Sequence, residues 1–256
     1  AHAFIGQTGE AGFEQYFNGS IDDVRVYSRA LTLDEAGDLN SGDCEVAIDP
    51  VPVACTTTDV SLAAHWNFDE NTDSTTADSS GNSNNGTLTN GTAWTTSTPT
   101  LGYDNVSGVS FDGTDDYVTA GNNASLAFST SDAFSASTWI NPTAFSGYQT
   151  VLQKMDDSNS AYRGYLFTLD NGVPEVWLIN DYSAGTYTVV AATTALSAGS
   201  WQQVGFSYDG SGNAAGVHIY VNGADVTNPT PIIDALAGAT IQTSVAFEMG
   251  LRGSGI

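Results

Sequence analysis

Basic side chains are the scarcest feature of this sequence: five Lys and Arg stand against 29 Asp and Glu among 256 residues, for a formal net charge of −24. A surface of that sign repels nucleic acid and anionic lipid, so neither is expected as a partner. Arg25, Arg29, Lys154, Arg163 and Arg252 cannot pair with 29 carboxylates. The excess is expected to be screened by divalent cations or salt. For most of these acids the plain reading is a solvated surface suited to a saline setting. No apolar run of about 18 residues is present, so no membrane insertion is expected. No secretory leader is evident. The chain opens Ala1-His2-Ala3-Phe4-Ile5-Gly6, without Met and inside a strand-like pattern, and is read as a fragment or processed piece. Abundant Ser, Thr, Asn and Gly with little Lys suggest an extracellular or cell-surface protein.

Cysteine is almost as rare. Cys44 and Cys55 flank a stretch containing Pro50 and Pro52. In an oxidising space a Cys44–Cys55 disulfide would close this loop and contribute roughly 2–3 kcal/mol; the alternative is a pair of free thiols. The three His, at 2, 65 and 218, are too scattered to complete a zinc site with them. No Gly-x-Ser-x-Gly elbow and no EF-hand spacing occurs.

What the chain does have is alternation. With 41% hydrophobic and 11% aromatic residues it can build a core. Short period-two stretches are punctuated by Asn90-Gly91, Asp112-Gly113, Asn171-Gly172, Asp209-Gly210 and Asn222-Gly223. They predict strands near 3–6, 86–95, 107–112, 115–120, 134–141, 150–154, 162–170, 174–180, 187–192, 201–208, 216–221 and 245–250, with another from Leu62 to Phe68. Helix is nearly absent; Thr32 as N-cap before Leu33, Ala36 and Leu39 predicts one short helical turn. The fold class expected is all-β, an antiparallel sandwich.

The stretch Gly19-Ser20-Ile21-Asp22-Asp23-Val24-Arg25-Val26-Tyr27, followed by Arg29-Ala30-Leu31, resembles the closing strand of laminin G-like domains of the concanavalin A-like lectin/glucanase superfamily. That family's opening resembles His65-Trp66-Asn67-Phe68-Asp69-Glu70 and Ala77-Asp78-Ser79-Ser80-Gly81-Asn82. Its middle resembles Phe111-Asp112-Gly113-Thr114-Asp115-Asp116-Tyr117-Val118, Trp139-Ile140-Asn141-Pro142, Trp201-Gln202-Gln203-Val204 and Tyr220-Val221-Asn222-Gly223. The resemblance implies a jelly-roll sandwich whose closing strand stands first. Residues 1–43 then hold the closing strands, 44–60 a linker, and 61–256 a body lacking its own closure. Val245–Gly250 is also similar to His2–Gly6, as if the chain were one period of a repeat. Closure within the chain as a permutation, exchange with a neighbouring copy, and a long tandem-repeat protein of which this is one period all satisfy the body. The Pro-containing linker with its disulfide favours an array or fibre over closure within the chain, so the function expected is a structural or adhesive repeat unit assembling head-to-tail with further copies into a tandem array or filament.

The resemblance also implies structural calcium where the opening loop meets the closing strand, mapping onto Asp22, Asp69, Glu70 and Asp78. Asp22 is expected on the face of Val24 and Val26; Asp73, Asp115 and Asp116 are expected to be solvent-facing turn residues. The Glu-x-Asp-x-x-Glu run of laminarinase-like relatives is missing, so no enzyme is expected. Polysaccharide is the alternative partner, in a carbohydrate-binding module of a larger secreted protein, with Trp177 and Tyr182 as stacking residues. Trp66, Trp139 and Trp201 are assigned to the core.

Overall fold

The computed structural model describes residues 15–41, 60–236, 238 and 240–251. The expected strand at 3–6, the Cys44–Cys55 disulfide and all of the expected linker but its last residue lie outside the described residues. The described chain runs β1 (Asn18–Tyr27), α1 (Leu33–Ser41), β2 (Leu62–Trp66), β3 (Thr75–Thr76), β4 (Gly86–Thr89), β5 (Ala93–Thr95), β6 (Gly108–Asp112), β7 (Tyr117–Thr119) and β8 (Phe134–Pro142). It continues with β9 (Tyr148–Asp156), β10 (Arg163–Asp170), β11 (Val173–Asp181), β12 (Thr186–Ala191), β13 (Gln202–Tyr208), β14 (Val217–Val221), β15 (Ala224–Asp225), β16 (Ile233–Asp234) and β17 (Glu248–Met249).

Two antiparallel sheets face each other. The eight-stranded one runs β15-β14-β13-β8-β1-β6-β5, with β2 also paired to β1; the nine-stranded one runs β16-β12-β11-β10-β9-β17-β7-β4-β3. Between them lies one core, built around Trp66, Phe68, Phe134, Phe167, Phe206 and Phe247 and shared by Phe17, Ile21, Val24 and Val26 of the N-terminal segment. Trp66 stacks on Phe247 at 5.4 Å and 16°.

β1 is an interior strand. It pairs with β8 from Gly19 to Tyr27, while its other edge is taken first by β6 (Asn18–Ile21) and then by β2 (Val24–Tyr27). Without it the sheet would come apart into three pieces, β15-β14-β13-β8, β6-β5 and β2. The structure closes the sheet within one chain, an arrangement ranked behind an array or fibre on sequence grounds. Gly19 sits at φ 146°, and a Cβ there would collide with the Asn141 carbonyl of β8, so the close strand approach requires glycine.

Local signals explain the neighbouring elements. Thr32 Oγ1 accepts from Glu35 N at 3.3 Å and Glu35 Oε2 accepts from Thr32 N at 2.8 Å, a reciprocal cap that starts α1. Asn171 and Gly172 both take positive φ, 47° and 88°, to turn β10 into β11.

The expected alternation of β1 breaks. Its register with β8 slips between Asp22 and Arg25, and Asp23 has φ 48°. This bulge lets Ile21, Val24 and Val26 all reach the core, so Asp22 does not share the face of Val24, as pure period two required. Trp139 and Trp201 also depart from expectation. Only Trp66 of the three is a core residue; the other two are partly exposed.

Candidate functional site

β10, β11 and β12 are apolar on both faces. Tyr165, Phe167, Val176, Leu178 and Val190 point into the core between the sheets. Leu166, Trp177, Ile179 and Val189, with Met155, form a second cluster on the outer face of the nine-stranded sheet. Strand pairing aligns Gln153, Leu166, Trp177, Val189 and Ile233 in one row across that face.

Over this row runs a ladder of five rings. Tyr148 meets Trp177 edge-on at 6.3 Å, Trp177 stacks on Tyr187 at 6.0 Å and 8°, Tyr187 on Tyr182 at 4.9 Å and 28°, and Tyr182 meets Tyr162 edge-on at 5.9 Å. The two expected stacking residues, Trp177 and Tyr182, are thus brought together by Tyr187. Trp177 is 5% exposed and forms the base, whereas the four tyrosines are partly exposed.

Polar groups lie beside the ladder. Thr150, Thr168 and Glu175 align in the adjacent row. Trp177 Nε1 donates to Glu175 Oε2 at 2.9 Å, and Gln153 Nε2 donates to Glu248 Oε2 at 2.7 Å. Burial pushes the Glu175 carboxyl up to about 7, with the Trp177 bond pulling the other way; burial raises Glu248 as well. Gln153 Oε1 and Thr150 Oγ1 are buried and have no hydrogen-bond partner.

The four carboxylates expected to hold calcium are not gathered in one place. Asp78 is saturated: Oδ1 accepts from His65 N and Ser80 N, and Oδ2 from Ser80 Oγ and Asn84 N. Burial would raise its pKa, but these donors outweigh it and hold the carboxyl low. Glu70 Oε1 accepts from Ala77 N and Thr76 Oγ1 while Oε2 is buried without a partner. Asp69 Oδ1 accepts from Val106 N at 2.7 Å, which ties the opening loop to the chain entering β6.

Asp22, fully buried, accepts from Asp23 N and Asn105 Nδ2, each at 2.9 Å. Burial above all, then the charges of Asp23 and Asp69, push it up to about 8 against the Asn105 bond. Asp78 thus has both oxygens taken by donors, and Asp22 is held toward its neutral form, so neither presents a free carboxylate.

Residues 112–242 match the laminin G family model described as the Concanavalin A-like lectin/glucanases superfamily. The chain belongs to this family. A comparison with curated proteins found no match. Among solved structures, this laminin G-like chain is similar to the binding domain of botulinum neurotoxin serotype G (TM-score 0.48, 15% identity, 69% of this chain and 41% of that one). It is also similar to a structure titled for the dependence of botulinum neurotoxin type C cell entry on two ganglioside molecules (TM-score 0.47, 14% identity, 72% and 42%). A third is the heptameric SAP-like pentraxin of Limulus polyphemus (TM-score 0.35, 12% identity, 51% and 56%). The laminin G-like chain spans about two fifths of the neurotoxin binding domains it matches.

Two constellations escaped the sequence reading. Asp112, Asp115 and Asp116 bring one carboxylate oxygen each within 4.8 Å of one another; Asp116, expected in solvent, is 3% exposed, with Oδ2 accepting from Asp112 N. The second is the line Ser79 Oγ to His65 Nδ1 (2.9 Å) and His65 Nε2 to Asp23 Oδ1 (2.7 Å). Asp23 is also paired with Arg25 at 3.2 Å, and Arg25 donates to the Tyr103 hydroxyl. Against the upward push of burial, Arg25 and then His65 hold the Asp23 carboxyl well below the usual range. This network straps β2 and its loop to the bulge of β1.

Proposed function

We propose that this laminin G-like chain is a glycan-binding module of an extracellular protein, and that its saccharide lies on the outer face of the nine-stranded sheet. Tyr148, Tyr182 and Tyr187, partly exposed over the buried Trp177, stack against pyranose faces. The observation that carries this reading is the ladder of four partly exposed tyrosines set over Trp177 on one face of the sheet. A sugar offers its C–H faces to such rings.

Binding without hydrolysis is the better fit. Glu248 and Glu175 stand on strands separated by β9 and β10, about 14 Å at three strand spacings. Glycosidase carboxyl pairs stand roughly 5–9.5 Å apart.

The test is affinity electrophoresis against a panel of soluble polysaccharides, with Tyr182→Ala and Tyr187→Ala compared with the parent chain. At least one polysaccharide should retard the parent and lose about tenfold or more in affinity on either substitution. Equal mobility of all three proteins on every polysaccharide would refute it.

A second reading, head-to-tail assembly, is favoured by one observation: every strand that β1 pairs with lies beyond residue 60. The same contacts made to a neighbouring copy would generate an open polymer. Light scattering across a concentration series decides it, since a monomer mass throughout rules exchange out.

A further inference from the structure

Cations are so few in this chain that their positions can be followed one by one. Arg25 pairs with Asp23 and Arg29 with Glu35, at 3.2 and 2.7 Å. Lys154 and Arg163 pair with no carboxylate among the described residues. Arg163 Nε donates to Asn180 O, and Lys154 Nζ donates to Asn122 Oδ1 and Val245 O. The charge of Arg163 also helps lower the Asp181 carboxyl, after its hydrogen bonds from Ser183 and Ala184.

These two cations are neighbours. Arg163 lies opposite Asp156 and Tyr165 opposite Lys154 on the paired strands β9 and β10. They therefore sit two residues apart along the ladder, with side chains on the same face as Tyr165, which points into the sandwich. Lys154 is fully buried without a counter-charge, and that burial lowers its pKa to about 8. A buried Lys154 with no carboxylate bonded to it is costly; a bound anion nearby would offset that cost.

A cavity of about 660 Å³ opens at Arg163, lined by it and by Asn122, Asn159, Gln242, Thr243 and Ser244; Lys154 reaches it through Asn122. Asp156 also lines it. Its carboxylate is already held by its own turn, accepting from Ser158 N, Ser158 Oγ and Asn159 Nδ2. Ala124, Ala127 and Ala161 supply small apolar patches. The volume is that of a small-ligand site. One guanidinium set among five neutral donor and acceptor side chains matches a carboxylate carried on a ring of hydroxyls.

We propose that this cavity binds a uronic acid unit of an acidic glycan, with Arg163 receiving the carboxylate and the amides and hydroxyls of Asn122, Asn159, Gln242, Thr243 and Ser244 receiving the ring oxygens. The inference rests on the glycan-binding reading for its class of ligand but places that ligand at a different site from the ring ladder. Lys154 acts through Asn122, whose side-chain oxygen it holds, and adds positive potential beneath the pocket.

Isothermal titration with galacturonate and glucuronate, against galactose, glucose and acetate, tests it on the whole chain. Uronates should bind in the millimolar range or tighter, at least about tenfold better than the neutral sugars and than acetate. Arg163→Gln should remove that preference, and Arg163→Lys should retain part of it because charge survives while the planar fork is lost. Thermal melting of both variants verifies that they fold. Tyr182→Ala should leave uronate binding unchanged, which separates this pocket from the ladder. Uronate binding that survives Arg163→Gln, acetate binding as well as uronate, or no heat with any uronate up to about 10 mM would each overturn the proposal. Loss of polysaccharide binding by Tyr182→Ala with uronate binding intact bears only on the ladder.

Discussion

The substitution Asp22→Asn isolates the most perturbed carboxyl of the closing strand. Asp22 is fully buried in the bulge of β1 and its pKa rises from 3.8 to about 8, through burial first and then Asp23 and Asp69. The folded chain therefore holds a proton there that the unfolded chain releases above about pH 4. A raised carboxyl contributes its full stability below the unfolded pKa and loses it as pH rises through the folded pKa. At about 1.36 kcal/mol per unit, the loss between pH 4 and 7 is up to about 4 kcal/mol. Asparagine mimics the neutral acid. Its side-chain oxygen can accept from Asp23 N, and the Asn105 amide can turn to present oxygen to the new NH2. Urea unfolding midpoints of both proteins from pH 4 to 8 should converge at the acid end and separate steadily above it, with Asp22→Asn the more stable. Other raised carboxyls bend both curves alike and cancel in the difference. If Asp22→Asn is instead the weaker protein at pH 5, or if calcium stabilises the parent chain and the substitution removes that effect, the Asp22–Asp69 pair is an ionised cation site and the buried-acid account is wrong.

Two further outcomes follow from the same geometry. Glu175, raised to about 7 by burial, gives the same sign: Glu175→Gln should match the parent near pH 4 and exceed it by up to about 3 kcal/mol above pH 7, read from denaturant midpoints; a difference independent of pH would contradict this. Gly19→Ala should lower stability by several kcal/mol, since it combines φ 146° with a collision against the Asn141 carbonyl, and a melting temperature equal to the parent's would show that β8 can yield.

Much of this fold could be read without coordinates because it rests on local chemistry. The Asn171-Gly172 turn, the Thr32–Glu35 cap and the closing motif each carry their cause within a few residues. The bulge at Asp22 and Asp23 does not. It is imposed by two partners on opposite edges of β1, so strict alternation misplaced Asp22. Nor could sequence alone separate the two faces of β10 and β11. Their continuous apolar runs, Tyr165-Leu166-Phe167 and Val176-Trp177-Leu178-Ile179, signalled burial on both sides and could have pointed to the outer cluster. Trp177 and Tyr182 were within reach as aromatics on one strand end, but Tyr187 as the ring that joins them depends on the pairing of Ile179 with Tyr187. The bonds that Asp78 accepts from His65 N, Ser80 and Asn84 N tie β2 to its following loop, and the donor at His65 lies 13 residues away in sequence. The cavity beside Arg163 draws its walls from segments near 122, 159 and 242, and no window of the sequence contains them together.

The interior position of β1 has a consequence for how the molecule is made. Its principal partner, β8, ends 115 residues further along the chain, Tyr27 to Pro142, so during synthesis the first described strand must wait until those residues have emerged. Contacts of such long sequence separation form slowly, and refolding of this laminin G-like chain should be limited by the arrival of that one strand. A waiting strand with two open edges is also where a newly made chain meets its neighbours first, so the same feature that unites the finished sheet sets its period of greatest vulnerability to aggregation.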